Sequence, residues 1–206
     1  MVLTPKVRIR LLKGAVWAAS LAPLAWGLHR LFLGDGFGAN PIQEIEHFVG
    51  RVGLIHLLAV LAVTPVRGLT GWNDLQKLRR LVGLFAFFWV TLHVLVWIGL
   101  DHFFAWTFIG EDLAERPFIF VGFTAFLLLI PLALTSTRGW IRRLGKNWVR
   151  LHRLVYVVAL LGIVHFFWAT KADDRWPTRA LIVWGVLMAA RLPWHRFRLP
   201  IARLLP

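Results

Sequence analysis

The sequence has no cysteine, and only ten of its 206 residues are acidic, against 24 lysines and arginines. Without cysteine there is no disulfide, no thiolate metal site, no iron–sulfur cluster and no haem attached covalently through C-x-x-C-H. A bound metal or cofactor must use histidine, carboxylates or backbone. Charge is scarce too: 17% of the residues are ionic, where a soluble domain carries roughly 25%. There is no Gly-rich dinucleotide fingerprint and no P-loop. No low-complexity segment or repeat of roughly 20–50 residues stands out. What remains is apolar, 58% of the chain, with a mean hydropathy of +0.66. Such a composition excludes disorder. On so apolar a chain a net charge of +14 points to membrane topology and lipid contact, not to nucleic acid.

A membrane span takes about 20 mostly apolar residues. Five stretches qualify: 11–33, 48–66, 81–100, 117–135 and 154–170. A sixth, 176–194, is free of charge only over 180–190. Its Arg179 and Arg191 are placed to snorkel outward, and Trp176 and Trp194 sit where interfacial aromatics belong. The expected fold is an all-α membrane protein, one domain over 1–206. Six transmembrane helices should pack as antiparallel neighbours through short loops. Eighteen of the 24 basic residues fall on one side, leaving Arg30, Arg51, Arg116, Lys171, Arg175 and Arg179 on the other, with every acid except Asp74. The positive-inside rule then makes both termini cytoplasmic. The basic, then apolar N-terminus lacks a convincing cleavage site and reads as an uncleaved first helix. The acidic outer side suits a basic redox partner, or merely reflects exclusion of Lys and Arg from translocated loops.

Ionisable groups in a bilayer are costly, so mid-membrane histidines are functional candidates. His93 lies 13 residues past Arg80, about 20 Å along its helix. His165 lies 15 residues past Arg150. Both helices run outward, so the two imidazoles reach one level in the outer half of the bilayer. Two opposed neutral imidazoles are what a six-coordinate b-type haem requires; the alternative is that each hydrogen-bonds inside the bundle. His152 stands at the cytoplasmic end, 13 residues before His165 and on a different face of an ideal helix. Arg79 and Arg80 occupy the level where its partner would sit. With Arg150 they form a basic cluster suited to an anionic cofactor or haem propionates, or simply to the orientation rule. His56 reads as a packed polar residue, and His29, His102 and His195 as interfacial. Residues 40–51, with His47, read as an amphipathic turn on the membrane, either a lid, a docking surface or a plain connector.

With these residues placed, the chain resembles the MsrQ (YedZ) family of ferric-reductase-like transmembrane haem proteins over residues 38 to 191. The resemblance rests on Asn40-Pro41 with Glu44, Ile45, His47, Gly50 and Arg51; on Thr64-Pro65; and on Arg79-Arg80-Leu81-Val82-Gly83-Leu84 leading to Thr91-Leu92-His93. It continues through Arg116-Pro117, Thr135-Ser136-Thr137, and Leu144-Gly145-Lys146 with Trp148, then Leu151-His152 and Tyr156 to His165 and Trp168. It implies a multi-pass haem b subunit of the bacterial inner membrane. His93 and His165 would ligate the iron, and His152 is the third family histidine. It also implies an associated flavin mononucleotide (FMN), for which no ligands carry over. Electrons would come from the quinone pool or a cytoplasmic flavin reductase. They would pass to a periplasmic, molybdopterin-dependent MsrP-type subunit that repairs methionine sulfoxide. No flavin or nicotinamide domain is expected within the chain, so it reads as a relay and not a complete enzyme. Two other readings stand beside this one: a standalone quinol-linked or metal-reducing cytochrome b, and a haem-free transporter or membrane scaffold.

Overall fold

The computed structural model describes residues 4–170 and 174–192, and every regular element among them is helical. In order these are α1 (Pro5–Phe32), α2 (Pro41–Thr70), α3 (Leu75–Val96), α4 (Trp106–Glu115), α5 (Pro117–Leu134), α6 (Arg138–Leu144), α7 (Lys146–His152), α8 (Leu154–Ala169) and α9 (Trp176–Ala189). A π-helical turn, Trp97–Asp101, extends α3. Five stretches are long and apolar enough to cross a membrane: α1, α2, α3 with its π turn, α5, and α7–α8 together. The sixth, α9, has 14 residues, about 21 Å of helix against a hydrocarbon core of about 30 Å. Of the six expected spans, five are long enough to cross and the sixth is a shorter apolar helix. Trp194, His195 and the basic residues of the tail lie outside the described residues, as do Lys171 and Asp173.

Local chemistry sets the ends. Asn40 caps α2 through its side-chain oxygen, which accepts from Gln43 N at 3.3 Å, and Pro41 fills the first turn, where its missing N–H costs nothing. Residues 41–51 are thus the opening turns of a continuous helix and not a turn lying on the membrane. Gly71, at φ 68°, ends α2 in the left-handed conformation and lets the chain reverse into α3. At Arg153 the bonds Arg153 N→Arg150 O and Tyr156 N→Arg153 O replace the α-ladder with a tighter turn and re-phase α8 against α7.

The bundle is assembled from two tight pairs, α2 with α3 and α5 with α8. α9 lies against α8 and α2, and α1 against α3. Leu57, Leu61, Ala86, Ala125, Leu129, Val158 and Ala159 form the main core. Ile55, Leu95, Leu127, Val157 and Ile182 face outward, which suits lipid. Trp89, wholly buried, donates Nε1–H to Ser20 O at 3.0 Å and so fastens α1 to α3. Asp74 is buried between Arg8 (2.5 Å) and Lys77 (2.7 Å), tying the start of α1 to that of α3. The hydrogen bond from Lys77, and then the guanidinium of Arg8, hold its carboxyl below the usual range.

Arg191 does not snorkel outward. Its guanidinium turns into the bundle, over the Tyr156 ring, and donates to the carbonyls of Leu187 and Leu61. Leu61 O needs that donor. Four residues on stands Pro65, whose missing N–H leaves this carbonyl outside the helical ladder.

Candidate functional site

His93, near the C-terminal end of α3, and His165, near that of α8, meet with ring centroids 6.1 Å apart and planes crossed at 68°. A first-row metal bonds an imidazole nitrogen at about 2 Å, and that nitrogen lies about 1.1 Å from its ring centre, so two trans imidazoles on one iron have centroids about 6.2 Å apart. The observed spacing is that of an axial pair. Each ring is fixed through its other nitrogen. His93 Nδ1 donates to Glu46 O at 3.1 Å, and His165 Nδ1 to Phe118 O at 2.7 Å. Each ring is thereby held in one tautomer, with Nε2 the nitrogen that could ligate a metal.

Two glycines make the room. A Cβ on Gly50 would stand 3.1 Å from His93 Nδ1, and one on Gly122 only 2.7 Å from His165 Nδ1. Each glycine lies four residues after the carbonyl that orients its histidine. The two halves are built alike: the histidine follows its carbonyl by 47 residues in both, and each glycine closes a Phe-Val-Gly triplet, 48–50 and 120–122. The sequence reading found no repeat, because the period is 72 residues and little else recurs. The triplet followed 43 residues later by histidine was the signal that could have exposed Gly122.

The imidazoles line a cavity of about 360 Å³, within the range of cofactor pockets. Its deep wall is apolar, with Leu54, Leu57, Val90, Ala125 and Val158. Its outer mouth is polar, with Asn40, Gln43, Glu46, His47, Arg51, Asp101 and Arg116. Among the described residues no three His, Asp or Glu side chains gather to hold a metal. A bare ion would be under-ligated between two imidazoles, whereas a macrocycle brings four equatorial nitrogens and needs only an axial pair. The cradle therefore fits haem.

A second cavity, about 210 Å³, opens toward the opposite end of the bundle and is lined by Gln76, Arg79, Arg80, Ser136, Trp148 and His152 among others. His152 stacks on Trp148 at 3.9 Å and donates Nδ1–H to its carbonyl at 3.3 Å. Ser136, 3.5 Å from His152 Nε2, gives its own proton to Leu132 O at 2.7 Å. The re-phasing at Arg153 is what turns both His152 and His165 toward the interior. Arg79 and Arg80 join His152 at this cavity; Arg150 does not line it, being exposed with its closest bond to Asn147 at 3.5 Å. Asp74 is already paired, so it offers these arginines no counter-charge.

Two of the remaining histidines, His56 and His102, have bundle partners. His56 donates Nδ1–H to Val52 O at 2.8 Å and accepts at Nε2 from Ser20 at 3.1 Å, as a packed polar residue should. Ser20, the partner that sequence reasoning could not name, sits in α1. His102 contacts Asp112 at 3.0 Å, and Asp112 holds Arg116 at 3.1 Å, clamping α4 onto the start of α5.

A helical membrane bundle with an imidazole pair facing across from two of its helices is the architecture of ferric-reductase-like transmembrane proteins. The family model described as "Ferric reductase like transmembrane component" matches residues 49–163. Within that class the chain belongs to the MsrQ family. It is 52% identical over 188 residues to the protein-methionine-sulfoxide reductase heme-binding subunit MsrQ of Rhodospirillum rubrum, covering 91% of this chain and 90% of that protein. It is 45% identical to the MsrQ subunits of Caulobacter vibrioides, over 92% of this chain and 89% of the relative, and of Xanthomonas campestris pv. campestris strain 8004, over 89% and 86%.

Proposed function

We propose that this protein is the haem-binding membrane subunit of a methionine sulfoxide reductase system. On this reading it carries electrons from the quinone pool, or a cytoplasmic-side donor, across the bacterial inner membrane to a periplasmic, molybdopterin-dependent catalytic subunit. The observation that carries the proposal is the 6.1 Å opposition of His93 and His165, each with Nδ1 tied to backbone. Haem bound there supplies a one-electron carrier that shuttles between ferric and ferrous iron. The chain's own residues do the rest. Glu46 O and Phe118 O fix the ligand tautomers, Gly50 and Gly122 admit the rings, and the apolar wall around Leu57 keeps water from the iron. At the inner end Arg79 and Arg80, with His152, would hold the donor-side cofactor. The phosphate of FMN is the anion their forks suit, since arginine binds such oxygens bidentately. Arg150 would act there only as a longer-range charge.

The test is spectroscopic. Purified protein should show the sharp reduced bands of bis-imidazole b-type haem, and His93→Ala or His165→Ala should each abolish them while the protein still inserts. Normal haem content in both single variants would sink the assignment.

A further inference from the structure

We infer that Arg51 and Arg116 form a propionate clamp at the outer mouth of the cavity, fixing the haem with its carboxylate edge outward. The inference rests on the haem reading above and adds the orientation of the group. Haem is amphiphilic, with two carboxylates on one edge and vinyl and methyl groups on the other. The cavity is amphiphilic along the same axis. Its deep wall of Leu54, Leu57, Val90, Ala125 and Val158 offers no hydrogen-bond donor to an anion, and a carboxylate placed there would bear the full cost of desolvation. The mouth offers two guanidinium groups, one from each half of the bundle: Arg51 on α2 and Arg116 at the start of α5.

Both arginines are held by the same atom. Arg51 donates Nε–H to His47 O at 3.1 Å, and Arg116 meets Asp112 Oδ1 through Nε at 3.1 Å. The Nη atoms of both forks are then left without a hydrogen bond among the described residues, on two stems that are already positioned. Positioned forks are what bidentate carboxylate recognition needs. Two acids share the rim, Glu46 and Asp101, and Glu46 Oε1 is buried with no hydrogen-bond partner. Without the arginines, the haem carboxylates would add negative charge to a rim that already holds Asp101 beside Glu46. The clamp therefore offsets repulsion as well as supplying attraction.

The experiment reconstitutes haem-free membranes of the full chain with haem b and, separately, with its dimethyl ester, which keeps the ring and iron but has no carboxylate charge. The unsubstituted protein should bind haem at least tenfold more tightly than the ester. Arg51→Gln and Arg116→Gln should each weaken haem about tenfold and leave ester affinity unchanged, and the double variant should no longer tell the two apart. Equal affinities in the unsubstituted protein would overturn the inference without any variant having to fold. So would arginine variants that lose haem and ester in parallel, the mark of a merely structural role. Failure of the axial-pair reading looks different: no bis-imidazole spectrum forms with either ring in the unsubstituted chain, and the clamp falls with it.

Discussion

Gly122→Ala isolates the axial geometry with a single methyl group. The added Cβ would lie 2.7 Å from His165 Nδ1 and 2.9 Å from its Cε1 and Cγ. Ordinary contact begins near 3.4 Å, so the ring must retreat by about 0.7 Å or the helices must part. Either movement breaks the 2.7 Å bond to Phe118 O, worth about 1 kcal/mol net, and adds overpacking of about 1–3 kcal/mol. Together that is about 2–4 kcal/mol, or haem held about 30- to 1000-fold more weakly. The same change at Gly50 asks for only about 0.3 Å, because its Cβ would stand 3.1 Å from His93; about tenfold is the most it should cost. Alanine is the better helix former by nearly 1 kcal/mol, so neither variant should lose helix content. Haem transfer from the purified protein to excess apomyoglobin gives the dissociation rate directly. A Gly122→Ala variant that keeps haem as long as the unsubstituted protein would refute the reasoning, as would a Gly50→Ala variant that loses it faster.

Two further expectations concern stability. Arg191→Met should lower the thermal unfolding temperature, followed by tryptophan fluorescence in detergent, by an amount equivalent to about 1–3 kcal/mol, since it orphans the buried Leu61 carbonyl. Adding Pro65→Ala, which restores a backbone donor to that carbonyl, should recover most of the loss; additive losses would show that Arg191 is not standing in for the missing N–H. Asp74→Asn should detach the inner end of α1 at neutral pH. Because the Asp74 pKa is depressed, its contribution is present above the ordinary carboxylate pKa and disappears as pH falls through the lowered folded value. Unfolding scans of the two proteins should therefore converge in strong acid, and a difference that persists there would exclude the ion pairs as its cause.

Much of this was legible in the sequence, where hydropathy carries the information. Length and apolarity place five spans, and counting from Arg80 and Arg150 puts His93 and His165 at one level because a helix rises uniformly. What could not be read depends on which face a residue presents. Gly122 is one small residue in an apolar helix until His165 is seen against it. Arg191 follows the pattern of a snorkelling interfacial arginine, and only the carbonyl freed by Pro65, 126 residues earlier in the chain, explains its inward turn. Arg150 and Arg79 look equivalent in a basic run, yet the first is solvated and the second lines a cavity. α4 and α6 were missed because short interfacial helices carry no hydropathy signal of their own. The start of α2 was missed as well: Asn40-Pro41 is a cap followed by a first-turn proline, but the amphipathic spacing after it read as a turn on the membrane.

Leu57 lines both cavities, and Ala86, Ala125, Leu129, Val155 and Val158 beside it are all apolar, with Tyr156 and the inward-turned Arg191 at the edge of the same core. At Leu57 the partition is a single side chain thick. Protons and ions find no foothold in it, whereas an electron can tunnel through a packed layer without one. Negative charge that crosses here travels unaccompanied, so the membrane potential does work on it, about 2.3 kcal/mol per 100 mV for a complete crossing and a proportionate share for the depth between the cavities. In a cell that is negative inside, that work favours outward flow. On the proposed function, each electron delivered to the outer side would discharge a little of the gradient that drives transport, and the apolar layer would be where that coupling occurs.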